Sequence, residues 1–98
     1  MKIYRYSVTL ETPIGVRHGV MTAQTDGSSV TGVLHIMQAD NPFSGEIIGN
    51  ICHIRGKLKT LVSSVSYTAE GILDSKCISL ELITAKHQLI LRGGAENA

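Results

Sequence analysis

The stretch CHIRGKLKT, residues 52–60, alternates apolar and polar positions along most of its length. Its apolar positions include Cys52, Ile54, Gly56 and Leu58. A period of two residues is typical of a β-strand with one buried face, because successive side chains of a strand point to opposite sides. Glycine weakens a strand, so Gly56 on the apolar face indicates a bend or the close approach of another backbone.

The same alternation recurs throughout the chain. It is clear in KIYRYSVTL at 2–10, VTGVLHIMQ at 30–38 and KCISLELIT at 76–84. No segment of useful length keeps the period of a helix, and the β-forming residues Val, Ile, Thr and Tyr are plentiful. The sequence therefore predicts an all-β protein.

Turn-forming residues divide the chain into short segments. They are TPIG at 12–15, TDGSS at 25–29, ADNP at 39–42, GN at 49–50, SS at 63–64, DS at 74–75 and AKH at 85–87. This spacing favours hairpins in series, since parallel strands need long crossovers for which the chain has no room. We predict an antiparallel up-and-down meander of about eight strands. It would form a single domain over residues 1–98.

A repeated pattern, apolar-x-Gly-x-apolar, indicates how this sheet is curved. It occurs as VTGVL at 30–34, FSGEI at 43–47, IRGKL at 54–58 and AEGIL at 69–73. Glycines repeated on the inward face are typical of strands that coil around a small barrel. A closed or nearly closed barrel also removes exposed strand edges. We expect Phe43 to be buried and the interior to be filled mostly by side chains.

Two segments fit this scheme less well. In GVRHGVMTAQ, residues 15–24, neither face is cleanly apolar, and the register of this strand stays unassigned. In ADNP, residues 39–42, Asn41 and Pro42 are typical turn residues. We expect a bend there that serves as a barrel corner, with no pocket opening at Asn41.

Several motifs together resemble a known family. They are TP-x-G at 12–15, G-x-x-x-A at 19–23, NPFSGEI at 41–47, GKLKT at 56–60 and YTAEG at 67–71. In this order the chain is similar to small uncharacterised bacterial proteins of about a hundred residues with a calycin-like β-barrel. The resemblance implies the fold and transfers no functional residue. LVSSVSY, at 61–67, stands where the family pattern leads us to expect a glycine-containing turn.

Composition argues against several classes of partner. The formal net charge is only +1 at pH 7 and 17% of the residues are charged, so we expect neither nucleic-acid nor membrane binding. No apolar run is long enough for a membrane-spanning helix, and Arg5 and Glu11 interrupt any signal-peptide core. With two scattered cysteines as well, we expect a cytoplasmic protein.

Residues capable of chemistry are present but are not grouped as a metal site or an active site requires. Cys52 and His53 are adjacent on one strand and so point to opposite faces. Zinc ligands usually occur as closely spaced pairs, and the four histidines show no such spacing. Cys77 lies opposite the apolar face of its strand, whereas Cys52 faces inward, so we expect two free thiols. We predict no metal and no cofactor.

The charged side chains of the predicted outer face favour no reaction either. Glu46, Glu70 and Glu81 alternate outward with polar neighbours, whereas acid–base catalysis needs carboxylates paired in a cleft. The row of basic residues from His53 to Lys59 suits a solvated strand face better than an acidic partner. We predict no catalytic residues, and a non-enzymatic protein is the preferred interpretation.

Two non-enzymatic functions remain open. The first is a small-ligand site at the barrel mouth, where Tyr6, Thr60 and Tyr67 would orient an apolar or amphipathic molecule. A buried tyrosine more often hydrogen-bonds within the protein, and that interpretation is preferred for these side chains. The second is an interaction surface, for which the outward-facing Ile72, Ile83 and Ile90 would form a homodimer interface.

Overall fold

The computed structural model describes residues 2–13, 15–59 and 63–96. The strands are β1 (Lys2–Thr12), β2 (Gly15–Asp26), β3 (Ser29–Ile36), β4 (Ala39–Ile48), β5 (Ile51–Lys59), β6 (Ser64–Leu73), β7 (Cys77–Ile83) and β8 (Gln88–Ala95). In these ranges there is no helix long and apolar enough to cross a membrane.

The strands form a closed antiparallel meander in chain order. Each strand pairs with the next, and β1 also pairs with β8, where Leu10 lies opposite Leu91. This confirms the predicted all-β up-and-down barrel and its closure. Closure satisfies the strand edges that an open sheet would leave unpaired.

The interior is one apolar cluster, built by the alternation seen in the sequence. In β7, for example, Ile78, Leu80 and Leu82 are buried while the residues between them are exposed. Phe43 is also buried, as predicted, with 5% of its surface exposed. Each fully buried side chain of this size contributes about 1.5–3 kcal/mol to folding.

The inward glycines lie where neighbouring strands approach too closely for a side chain. A Cβ atom on Gly32 would lie 2.1 Å from the Thr22 carbonyl oxygen, and one on Gly45 would lie 1.9 Å from the His53 carbonyl oxygen. These distances are far below van der Waals contact. The repeated glycines therefore allow the close backbone approach that the sequence predicted.

The predicted bend at ADNP is wrong. The turn between β3 and β4 is formed instead by Met37 and Gln38, with φ angles of 55° and 60°. Residues 39–42 belong to β4, and Asn41 points into the barrel rather than into a loop. The hydrogen bonds of its side chain to the strands on both sides outweigh the general preference of asparagine for turns.

Strand β2, unassigned from the sequence, has a definite register. Tyr6 of β1 lies opposite Met21, and Leu10 lies opposite Arg17. Directly opposed residues of antiparallel strands share a face, so Arg17 and Met21 both belong to the inward set. An arginine on the inward face explains why the apolar alternation of this segment is incomplete.

Candidate functional site

The two ends of the barrel differ in their turns. Pro13, the Met37–Gln38 turn and Thr84–His87 lie at one end, which we call the mouth. Gly27–Ser28, Gly49–Asn50 and Asp74–Lys76 lie at the opposite end. Because consecutive hairpins of a meander turn at alternate ends, the end of β5 at Lys59 and the start of β6 at Ser64 also lie at the mouth.

The mouth opens into a cavity of about 540 Å³. This is within the usual range of roughly 300–1,000 Å³ for small-molecule sites. Its described lining consists of Leu10, Thr12, Pro13, Arg17, Met37, Gln38, Leu58, Val65, Thr84, His87 and Leu89.

The wall of this mouth cavity is apolar. Leu10, Leu58 and Leu89 are buried at its base, and Met37 packs against the core. The threonine hydroxyls of the rim are occupied by the turns: Thr12 donates a hydrogen bond of 2.6 Å to the Gly15 carbonyl, and Thr84 donates one of 3.1 Å to the His87 carbonyl. The cavity therefore suits a molecule whose body is apolar.

Arg17 is an inward-facing, positively charged residue in the wall of this cavity. It is half-buried, in register with Leu10. Its Nη1 atom lies 3.9 Å from the position that a Cβ atom on Gly15 would occupy, which places the guanidinium at the rim. Among the described residues that line it, the mouth cavity thus combines an apolar wall with one arginine at its opening.

The two tyrosines proposed from the sequence as ligand contacts lie away from the mouth cavity. Tyr6 is fully buried, and its hydroxyl donates a hydrogen bond to the carbonyl of Asp74, at the opposite end of the barrel. Tyr67 is buried one inward position deeper than Val65, and neither tyrosine lines the mouth cavity. Thr60 lies outside the described residues.

Burial perturbs both tyrosines in the same direction. Desolvation raises the pKa of Tyr6, mainly because its phenolate would be excluded from water. The same effect raises the pKa of Tyr67 to about 12. Both hydroxyls are therefore neutral at physiological pH, and they act as interior polar groups rather than as acids or bases.

The three isoleucines predicted as an interface are exposed, but only Ile83 and Ile90 are diagonal neighbours, on β7 and β8. Ile83 lies opposite Thr68, four residues from Ile72 along β6. The cross-strand pair of Glu70 and Glu81 lies between them on the same face. Ile72 is therefore separated from Ile83 and Ile90 by two carboxylates.

Ile72 instead belongs to a different exposed group, the isoleucine row of Ile48, Ile51 and Ile72. Ile48 lies opposite Ile51, and Ile51 lies opposite Ile72 on the next strand. Their exposed fractions are 80%, 56% and 45%. Three neighbouring strands thus present adjacent apolar side chains to water, near the Gly49–Asn50 turn.

The basic row of β5 is partly neutralised by its neighbours. Two nitrogen atoms of Arg55 donate hydrogen bonds of 3.1 and 3.2 Å to the carboxylate of Glu46. Glu70 Oε2 lies 3.3 Å from His53 Nδ1. The Arg55 guanidinium holds the pKa of the Glu46 carboxyl below its ordinary value. This arrangement is typical of a solvated sheet face.

Neither the two thiols nor the cavity at the opposite end of the barrel combines an apolar wall with a charged group as the mouth cavity does. Cys52 is buried and Cys77 is exposed, and both are free, as predicted. Burial raises the pKa of the Cys52 thiol to about 11, which makes it a poor nucleophile. A second cavity at the opposite end, near Lys2, Tyr4 and Asp74, has a mixed polar lining.

Sequence reasoning missed Arg17, although a signal for it was present. Counting back in steps of two from Met21 gives Gly19, Arg17 and Gly15 as inward positions. Because glycine and arginine occupy these positions, the inward face of the strand does not show an apolar pattern in the sequence. Once the face is assigned, an inward arginine near a turn is the feature that marks the mouth.

Comparison with known proteins supports the fold. No protein-family model matches the chain, and no curated protein matches it. Among solved structures it is similar to a redesigned beta barrel, mFAP1, bound to DFHBI. The TM-score is 0.66 and the identity 13%, over 96% of this chain and 93% of that chain. At this identity the similarity shows a shared small β-barrel fold alone.

Proposed function

We propose that the protein is a non-enzymatic binding module that holds a small apolar or amphipathic molecule in the mouth cavity. The observation that carries this proposal is the cavity of about 540 Å³ with an apolar wall. Met37 and Val65 are partly exposed there, and a ligand body would remove their surface from water. Burial of that surface favours binding by about 25 cal/mol per Å² before the cost of association.

The shared fold gives limited further support. The similar barrel, mFAP1, is bound to DFHBI, so a barrel of this architecture accommodates a small molecule in that protein. Ligand choice depends on the lining side chains and not on the fold, so the identity of the ligand here must come from the mouth residues.

The domain organisation, family resemblance and location that we propose rest on the sequence. The single domain over residues 1–98, the resemblance to bacterial calycin-like proteins and the cytoplasmic location are part of the same proposal. Glu46 and Glu70 beside the basic row argue against nucleic acid as the partner, because they reduce its positive potential.

Titration with the neutral fluorophore N-phenylnaphthylamine tests the proposed site. Wild-type protein should bind the probe saturably, with the emission increase of an apolar environment. Val65→Trp places an indole in the cavity and should weaken binding strongly. Ile83→Trp, an equally bulky change on the exposed outer face, is the matched control and should leave binding unchanged. Absence of saturable binding by wild-type protein contradicts the proposed function.

A second candidate function is self-association through the isoleucine row. Contiguous exposed apolar side chains are typical of interfaces, and a two-fold dimer is the commonest assembly. Sedimentation velocity should then show a concentration-dependent dimer that Ile51→Lys disrupts. Ile3→Lys, on another exposed part of the outer face, is the control. A wild-type monomer at high concentration contradicts this second function and leaves ligand binding untouched.

A further inference from the structure

We propose that the mouth selects amphipathic carboxylates, with Arg17 binding the carboxylate and the apolar wall binding the tail. This inference rests on the proposed ligand-binding function and specifies the class of ligand. It depends on the position of Arg17 in a cavity whose wall is mainly apolar, and on the residues around its guanidinium.

The position of Arg17 fixes the direction of the ligand. The residue belongs to the inward face of β2, opposite Leu10, but its guanidinium extends toward Gly15 at the rim. The buried leucines Leu58 and Leu89 lie on the wall of the same cavity. A ligand with one polar end would place that end at the opening, near Arg17, and its apolar part deeper.

The positive charge of Arg17 is not balanced within the cavity. No Asp or Glu occurs among the described residues that line it. Of the carboxylates at the mouth end of the described strands, Glu11 is exposed on the outward face of β1, and Asp40 Oδ1 lies 2.6 Å from His35 Nδ1 on the outside. The arginine ion pairs of the described residues, Arg5 with Glu96 and Arg55 with Glu46, do not include Arg17.

An uncompensated guanidinium beside apolar side chains favours an anion for a physical reason. Apolar neighbours reduce the local dielectric response, so a charge-assisted hydrogen bond there is stronger than one in bulk water. The planar guanidinium fork matches a carboxylate in bidentate geometry. A single arginine suits one carboxylate, whereas a cationic head group at the same place would be repelled.

Competition between matched ligands tests this selectivity. Decanoate, decanol and decylamine share one alkyl chain and differ in charge at neutral pH. Each is titrated against the bound neutral probe N-phenylnaphthylamine, below the critical micelle concentration of the two charged ligands and below the solubility limit of decanol. We expect decanoate to displace the probe at the lowest concentration and decylamine at the highest. Hydrogen bonds to charged groups correspond to a difference of roughly tenfold between decanoate and decanol.

Variants assign that difference to one side chain. Arg17→Gln should weaken the binding of decanoate by roughly tenfold. Its affinities for decanol and for the neutral probe should stay close to those of the wild-type protein. Arg17→Lys should restore part of the preference, since it keeps the charge and loses the bidentate geometry. Arg92→Gln removes the same charge from the exposed face of β8 and should change nothing. Thermal unfolding by circular dichroism confirms that each variant is folded.

The outcomes separate this inference from the proposed function. Equal affinity of wild-type protein for decanoate and decanol, with saturable probe binding, overturns the carboxylate selectivity and leaves the binding function standing. An unchanged preference in Arg17→Gln also overturns the role of Arg17. Failure of wild-type protein to bind the neutral probe overturns both.

Discussion

Asn41 connects three strands through one buried side chain. Its Nδ2 donates hydrogen bonds to the carbonyls of Leu34, at 2.9 Å, and Ala39, at 3.3 Å. Its Oδ1 accepts a hydrogen bond of 2.8 Å from the backbone N–H of Lys59. Buried polar groups are costly without partners, so this fully satisfied amide holds β3, β4 and β5 in one arrangement close to the mouth.

Replacement of Asn41 should therefore destabilise the barrel. Asn41→Leu leaves the Lys59 N–H and the Leu34 carbonyl without their partner, and we expect a loss of roughly 2–4 kcal/mol in the free energy of unfolding. Urea denaturation measures it. Ser44→Ala, an exposed change on the same strand, is the control and should stay within about 0.5 kcal/mol of wild type. An Asn41→Leu protein as stable as the control contradicts this role.

Three buried acids, Cys52, Tyr67 and Tyr6, should make stability fall at alkaline pH, because burial raises the pKa of each. Burial raises the pKa of Cys52 from 9.0 to about 11 and that of Tyr67 from 10.0 to about 12. Above pH 9 the unfolded chain releases protons that the folded chain retains, so stability is complete below this pH and is lost as pH rises toward 12. Urea midpoints measured from pH 8 upward should decline, and less steeply for Tyr67→Phe above pH 10. Urea midpoints that do not change with pH would contradict the raised pKa values.

At the scale of the strand, glycine spacing determines how tightly the barrel curves. Gly45→Ala would place a methyl group 1.9 Å from the His53 carbonyl oxygen, and the strands would have to separate. We expect a loss of about 2–3 kcal/mol or more in unfolding free energy. Gly94→Ala is the matched control, because nothing lies within 4 Å of its Cβ position and its backbone conformation is ordinary. Equal stability of the two variants in urea contradicts this account.

How well each strand could be predicted depended on how completely its side chains alternate. In β5 and β7 inward and outward side chains alternate along the whole strand, so the period-two pattern located both strands directly. β2 has Gly15, Arg17 and Gly19 inward, so its pattern contained too few apolar side chains to reveal its register. Nothing in the residue types of Met37 and Gln38 favours the positive φ angles they adopt. The turn at that point could not be predicted because the pairing of β3 with β4 imposes it.

The candidate site was less predictable than the fold because it arises from closure of the whole barrel. Arg17, Leu58, Val65 and Leu89 come from four strands, and only the register and closure place them around one opening. The hydroxyl-bearing residues that the sequence suggested were chosen because they lie on inward faces, which does not determine the end of the barrel to which a side chain belongs. Tyr6 illustrates the limit: its partner, the Asp74 carbonyl, is distant in sequence and belongs to the other end of the molecule.

The most direct test of the central claim is a map of amide chemical shifts during titration with decanoate. Saturable shifts should concentrate on mouth residues such as Leu58, Val65 and Leu89, with Gly27 and Asn50 at the opposite end unaffected. Saturable shifts centred on the opposite end, or none anywhere in the described strands, would contradict ligand binding at the mouth.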